Sequence, residues 1–124
     1  MALVLIVDDD ASVIDTLGRM LRLEGYDVVT APDAETAFRE IEKSHPDAIL
    51  VDLRMPEVDG LAFIRRLRAQ ETGRPTPIAV ITGDYYARET LMPELTELDV
   101  ELHFKPVWLA DLVTITERLL KKNE

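Results

Sequence analysis

"LVLIVDDDAS" occupies residues 3–12, and its reading decides the fold. Leu3–Val7 is a short, unbroken apolar run rich in β-branched residues. Such a run reads as a strand buried on both faces, the kind a helix-covered parallel sheet contains. It ends without a spacer on Asp8, Asp9 and Asp10. At an effective dielectric of ~20, two like charges ~4 Å apart repel by about 4 kcal/mol. Three adjacent carboxylates therefore either diverge into water or gather around something positive.

The same grammar repeats outward from that strand. Ile14, Leu17, Met20 and Leu21 recur at helical spacing, and Gly25 stops the helix. Residues 26–30 read as a second strand. Asp33 is placed to cap a helix with an apolar face of Ala34, Ala37, Phe38 and Ile41, ended before Pro46. Ala48–Val51 is a third strand, "RMPEVDG" (54–60) is turn chemistry, and Leu61, Ile64 and Leu67 mark a third helix. After the loop "TGRPTP" (72–77) comes a fourth strand at 78–81. The region 85–98 is helix-like but carries Pro93, so two pieces are expected, 85–92 and 93–98. Val100–Phe104 is a fifth strand, and Leu109, Leu112, Val113, Leu119 and Leu120 mark a last helix.

Five strands alternating with five helices imply an α/β, three-layer, doubly wound (βα)5 domain with a five-stranded parallel sheet, spanning residues 1–124 as one unit. Ligands in such sheets bind outside the carboxyl ends of the strands. Those ends carry Asp8 and Asp9, Asp52, Thr82 and Lys105. Three carboxylates and no cysteine suit a hard cation such as Mg²⁺, which answers the crowding of the acids. Thr82 can hydrogen-bond a phosphoryl oxygen, Lys105 can neutralise one, and Asp52 can act as the nucleophile. Asp10 reads as a helix cap.

Bulk properties narrow the class. The 124 residues suffice for one core, the net charge is −10, and there is no cysteine. The charge disfavours nucleic acid and anionic membrane as direct partners. The lack of cysteine and of long apolar stretches fits a cytoplasmic protein.

With those residues in place, the chain resembles the receiver domain of bacterial response regulators along essentially its whole length. The resemblance rests on "LIVDDD" (5–10), "ILVDLRMPEVDG" (49–60), "VITG" (80–83) and "FKP" (104–106), in order and each at a strand's end. It implies the sheet order 2-1-3-4-5. It makes Asp52 the phosphoacceptor, Asp9 the direct metal ligand and Asp8 a supporting acid. The backbone carbonyl of Arg54 becomes a further metal ligand, Thr82 the switch hydroxyl and Lys105 the phosphate-contacting cation. It also implies a cis Lys105–Pro106 bond. The implied donor is a phosphohistidine on a sensor histidine kinase or a histidine phosphotransfer protein. Output to an effector or a second copy is implied through the fourth helix, fifth strand and fifth helix. Such a domain is not an enzyme in the ordinary sense, since it catalyses only its own phosphorylation and dephosphorylation.

Two departures stand out. Receivers usually carry Tyr or Phe three residues before the site lysine; here that position is Leu102. The fourth helix contains Pro93 and is followed by "TELDVEL" (96–102) in place of the usual small residues. Two other functions remain on the table: a pseudo-receiver that only docks proteins, and an aspartyl-phosphate phosphatase. The phosphatase would want a second acid two residues after the nucleophile, where Arg54 stands. Arg54 and Asp84 read equally as a pair across the site mouth or as unrelated surface charges. Trp108 reads equally as a partner contact or as the edge of the core. His45 and His103 do not read as ligands. The ending at Lys121–Glu124 fits a stand-alone receiver or the head of a longer protein.

Overall fold

The computed structural model describes residues 1–123. Its strands are β1 (Leu3–Val7), β2 (Asp27–Ala31), β3 (Ala48–Val51), β4 (Ile78–Thr82) and β5 (Val100–Phe104). Between and after them lie α1 (Ala11–Leu23), α2 (Ala34–Ser44), α3 (Gly60–Gln70), α4 (Ala87–Glu97) and α5 (Leu109–Lys121). All strand pairs are parallel, in the order β2-β1-β3-β4-β5. This is the predicted doubly wound sheet.

Strand periodicity divides the core in two. Leu5, Val7, Ile49, Val51, Ile78, Val80, Val100 and Leu102 face one side, where Ala37, Phe63, Ile64 and Leu95 of α2, α3 and α4 meet them. Val4, Ile6, Ala48, Leu50, Ala79 and Ile81 face the other, against Leu17 and Leu21 of α1 and Leu112 and Leu119 of α5. Both faces of the central strands are thus covered, which is why β1, β3 and β4 read as unbroken apolar runs.

Helices α1, α2 and α3 start where short aspartate side chains take up orphan N–H groups. Asp10 accepts from Ser12 and Val13, Asp33 from Thr36, and Asp59 from Ala62. Helix α1 stops at Gly25, whose φ of 94° is easy only for glycine. At Gly60 a Cβ would overlap the backbone carbonyl oxygen of Asp52, so glycine there lets α3 begin directly behind the site strand.

Three expectations are corrected. The second strand is displaced by one residue, because the Tyr26 amide donates to the Leu21 carbonyl at the helix end and pairing with the N-terminal segment begins at Asp27. The fourth strand runs one residue further than expected, to Thr82, which pairs with Phe104 of β5. The largest correction concerns Pro93, which does not divide α4; the helix runs unbroken through it. Pro93 and Glu89, whose carbonyl loses its donor, both lie on the solvent face, so water can replace the missing bond. On the inner face Leu95 is fully buried, and Glu94 pairs with Arg65 of α3 at 2.6 Å, holding the second half of the helix in line.

Candidate functional site

The switch in strand order lies between β1 and β3, the neighbours that run to the site in register as Val7 beside Val51. The ladder continues one step further: the Asp52 amide donates to the Val7 carbonyl at 3.0 Å, and the Asp8 amide to the Ala31 carbonyl at 3.1 Å. Asp8 and Asp52 therefore emerge side by side. Asp9 completes the group, and one carboxylate oxygen from each of the three lies within 4.8 Å of the others. Asp8 and Asp52 are buried, at 3% and 7% exposure, and Asp9 faces water.

Lys105 enters from the end of β5. Its Nζ donates to Asp8 Oδ2 at 2.9 Å and to Asp52 Oδ2 at 3.0 Å. The second oxygen of Asp8 accepts from the Asp10 amide at 2.9 Å; that of Asp52 is 3.4 Å from the Arg54 amide, a long bond. Burial raises the proton affinity of Asp8 above that of an ordinary carboxyl, against the pull of the Lys105 and Asp10 hydrogen bonds. Burial also opposes the charge on Lys105, but its bonds to Asp8 and Asp52 together prevail, so its pKa rises. One ammonium thus serves two buried carboxylates, while the third stands at the rim.

Thr82, fully buried, ends β4, and its hydroxyl accepts from the Asp84 amide at 3.1 Å. Its carbonyl accepts from the Lys105 amide at 2.8 Å, which joins the ends of β4 and β5. Arg54 and Asp84 do pair, at 3.2 Å, and both line a cleft of about 610 Å³ that Asp9 also lines. The Lys105–Pro106 bond is cis. His103 lies 3.2 Å from Glu101, away from the pocket, and Trp108 is 67% exposed at the start of α5.

The donor set fits the cation that the sequence suggests. It offers only hard oxygen ligands, two of them buried, with a single ammonium to balance three carboxylates. Sequence reasoning missed Tyr85, whose hydroxyl donates to the Lys105 carbonyl at 2.9 Å. The only hint was a pair of aromatic residues directly after Thr82-Gly83-Asp84, in a region read as plain helix or turn.

The family model for the response regulator receiver domain matches residues 4–117. The chain belongs to that family. This receiver is 36% identical over 123 residues to the transcriptional regulatory protein PrrA of Mycobacterium tuberculosis, a match covering 97% of this chain and 50% of PrrA. It is also 36% identical over 124 residues to the response regulator MprA of Mycobacterium ulcerans, covering 98% and 51%. The chain spans about half the length of these curated relatives. Among solved structures, chemotaxis protein CheY4 of Vibrio cholerae superposes with a TM-score of 0.86 at 30% identity, covering 97% of this chain and 99% of CheY4. Among the described residues, no helix is long and apolar enough to cross a membrane.

Proposed function

We propose that residues 1–124 form a phosphoacceptor receiver that takes a phosphoryl group from a phosphohistidine onto Asp52. The single observation that carries the reading is the Lys105 ammonium shared between Asp8 and Asp52 at the switch point of the sheet. In the transfer, an Asp52 oxygen forms a bond to phosphorus as the phosphorus–nitrogen bond of the donor breaks, and the imidazole leaves with the electron pair. Lys105, already within reach of Asp52, neutralises one phosphoryl oxygen, and the Thr82 hydroxyl donates to another. Mg²⁺, held by Asp8, Asp9, Asp52 and the Arg54 carbonyl, would supply positive charge to the transferring group. Asp9, at the exposed rim, is the carboxylate best placed to admit the ion.

The partners this reading calls for are a sensor histidine kinase or a histidine phosphotransfer protein as donor, with an effector or a second copy on the face formed by α4, β5 and α5. With a net charge of −10, the domain is not expected to bind nucleic acid itself. The test is incubation with a small acyl phosphate and Mg²⁺, followed by intact-mass measurement. One phosphoryl group is expected, lost with EDTA and absent in Asp52→Asn. Equal labelling of Asp52→Asn would overturn the site assignment.

A further inference from the structure

Lys105 reaches the two buried carboxylates from a backbone that is held at both of its polar groups by one neighbouring segment. Its amide donates to the Thr82 carbonyl at 2.8 Å, and its carbonyl accepts from the Tyr85 hydroxyl at 2.9 Å. The β4–β5 ladder does not supply the second bond, because β4 ends at Thr82 and the Asp84 amide, next in line, donates to the Thr82 hydroxyl instead. The Tyr85 ring also packs on Phe104, with centroids 5.6 Å apart, and the Arg88 guanidinium lies 5.4 Å from the centre of the Phe104 ring. Burial does not hold Tyr85 there, since it is 65% exposed. Its neighbour Tyr86 is 73% exposed, and among the described residues its hydroxyl makes no hydrogen bond. The two adjacent tyrosines thus differ in what their hydroxyls do.

We propose that Tyr85 is a positioning residue for phosphoryl transfer, holding the Lys105 carbonyl so that the ammonium stays aimed at Asp52. The inference rests on the phosphoryl-transfer reading given above. A lysine side chain is long and flexible, so the place of its ammonium depends on a steady backbone, and small misplacements of a charge-neutralising group slow a reaction steeply. The same clamp ties two working groups together. Thr82 and Tyr85 are separated only by Gly83 and Asp84, and a Cβ at Gly83 would meet no atom within 4 Å. The segment that carries the Thr82 hydroxyl thus also holds both backbone polar groups of Lys105.

The test compares Tyr85→Phe, which keeps the ring and removes the hydroxyl, with Tyr86→Phe as control. In metal-free protein, amide hydrogen exchange at Lys105 and Val107 should speed up by about fivefold in Tyr85→Phe, the scale of one net hydrogen bond. With a small acyl phosphate, the maximal phosphorylation rate should fall by a similar factor of about five, with the Mg²⁺ concentration for half-saturation unchanged. Tyr86→Phe should match the parent in both. Parent-like exchange in Tyr85→Phe would overturn the clamp. Faster exchange with a parent-like rate would overturn its role in the reaction, and so would a slower rate accompanied by a shifted Mg²⁺ requirement. If the parent takes no phosphoryl group at all while exchange still rises in Tyr85→Phe, the clamp holds and the phosphoryl-transfer reading fails, taking the catalytic half of this inference with it.

Discussion

Arg54 and Asp84 each stand two residues beyond a working group, Asp52 and Thr82, and meet across the cleft at 3.2 Å. Asp84 is largely covered, whereas the Arg54 side chain is 76% exposed, so water competes strongly for the guanidinium and the pair adds little to stability. Its expected effect is on access. On the phosphoacceptor reading, water attacking an aspartyl phosphate at Asp52 is expected to come in by way of the cleft this pair spans, whose lining includes the neighbouring site carboxylate Asp9. Arg54→Ala and Asp84→Ala should change the dephosphorylation rate by about twofold or more, the scale of an exposed ion pair, and leave phosphorylation by a small acyl phosphate nearly unchanged. Dephosphorylation followed by loss of the phosphorylated mass is the measurement. Rates equal to the parent's would reduce the pair to a surface contact. Leu102 shows what residue identity alone withholds: it is 7% exposed and packed in the core on the α4 side, with neither a ring to swing nor a hydroxyl to place.

Among the elements, α4 is the one expected to respond to phosphorylation. Its N-cap residue, Tyr86, supplies no side-chain hydrogen bond, only Ala87 and Leu95 are buried, and Pro93 removes an internal bond. A proline inside a helix costs about 3 kcal/mol when nothing compensates. Here the solvent exposure of Pro93 and Glu89 and the Arg65–Glu94 pair keep the helix continuous. Segments with few buried contacts open first. Hydrogen exchange with and without beryllofluoride, a phosphoryl mimic, should therefore change most at residues 83–98 and little at Leu102. Pro93→Ala should raise protection across the same segment in the unliganded protein. A response centred on 102–104 with 83–98 silent would show that β5 carries the signal instead.

At the scale of the whole molecule, stability is coupled to the acidic pocket. Three carboxylates gathered at the end of the sheet, in a chain of net charge −10, oppose the folded state wherever no cation joins Lys105. A divalent ion that binds the folded protein alone stabilises it by about 2.7 kcal/mol at a hundredfold excess over its dissociation constant. Mg²⁺ should thus raise the melting temperature by several degrees at constant ionic strength, and Asp9→Asn should remove most of that rise. A parent protein whose melting is indifferent to millimolar Mg²⁺ would contradict the metal assignment.

Sequence alone determined the alternation of strands and helices, because continuous apolar runs and 3.6-residue periodicity are local consequences of which faces are buried. It also placed Asp8, Asp9, Asp52, Thr82 and Lys105 at strand ends, where a doubly wound sheet collects its ligands. The caps at Asp10 and Asp33 were legible for the same reason, since a cap acts on its own next two or three residues. Only the tertiary structure decided the rest. Pro93 looked like a break because helix propensity is reckoned locally, while the Arg65–Glu94 pair and the burial of Leu95 act across elements. The sharing of Lys105 between Asp8 and Asp52 depends on β1 lying beside β3, which no local pattern states. The same holds for Tyr85: its hydroxyl bonds a carbonyl twenty residues away, and that distance closes only because β4 and β5 pair in register up to Thr82 and Phe104.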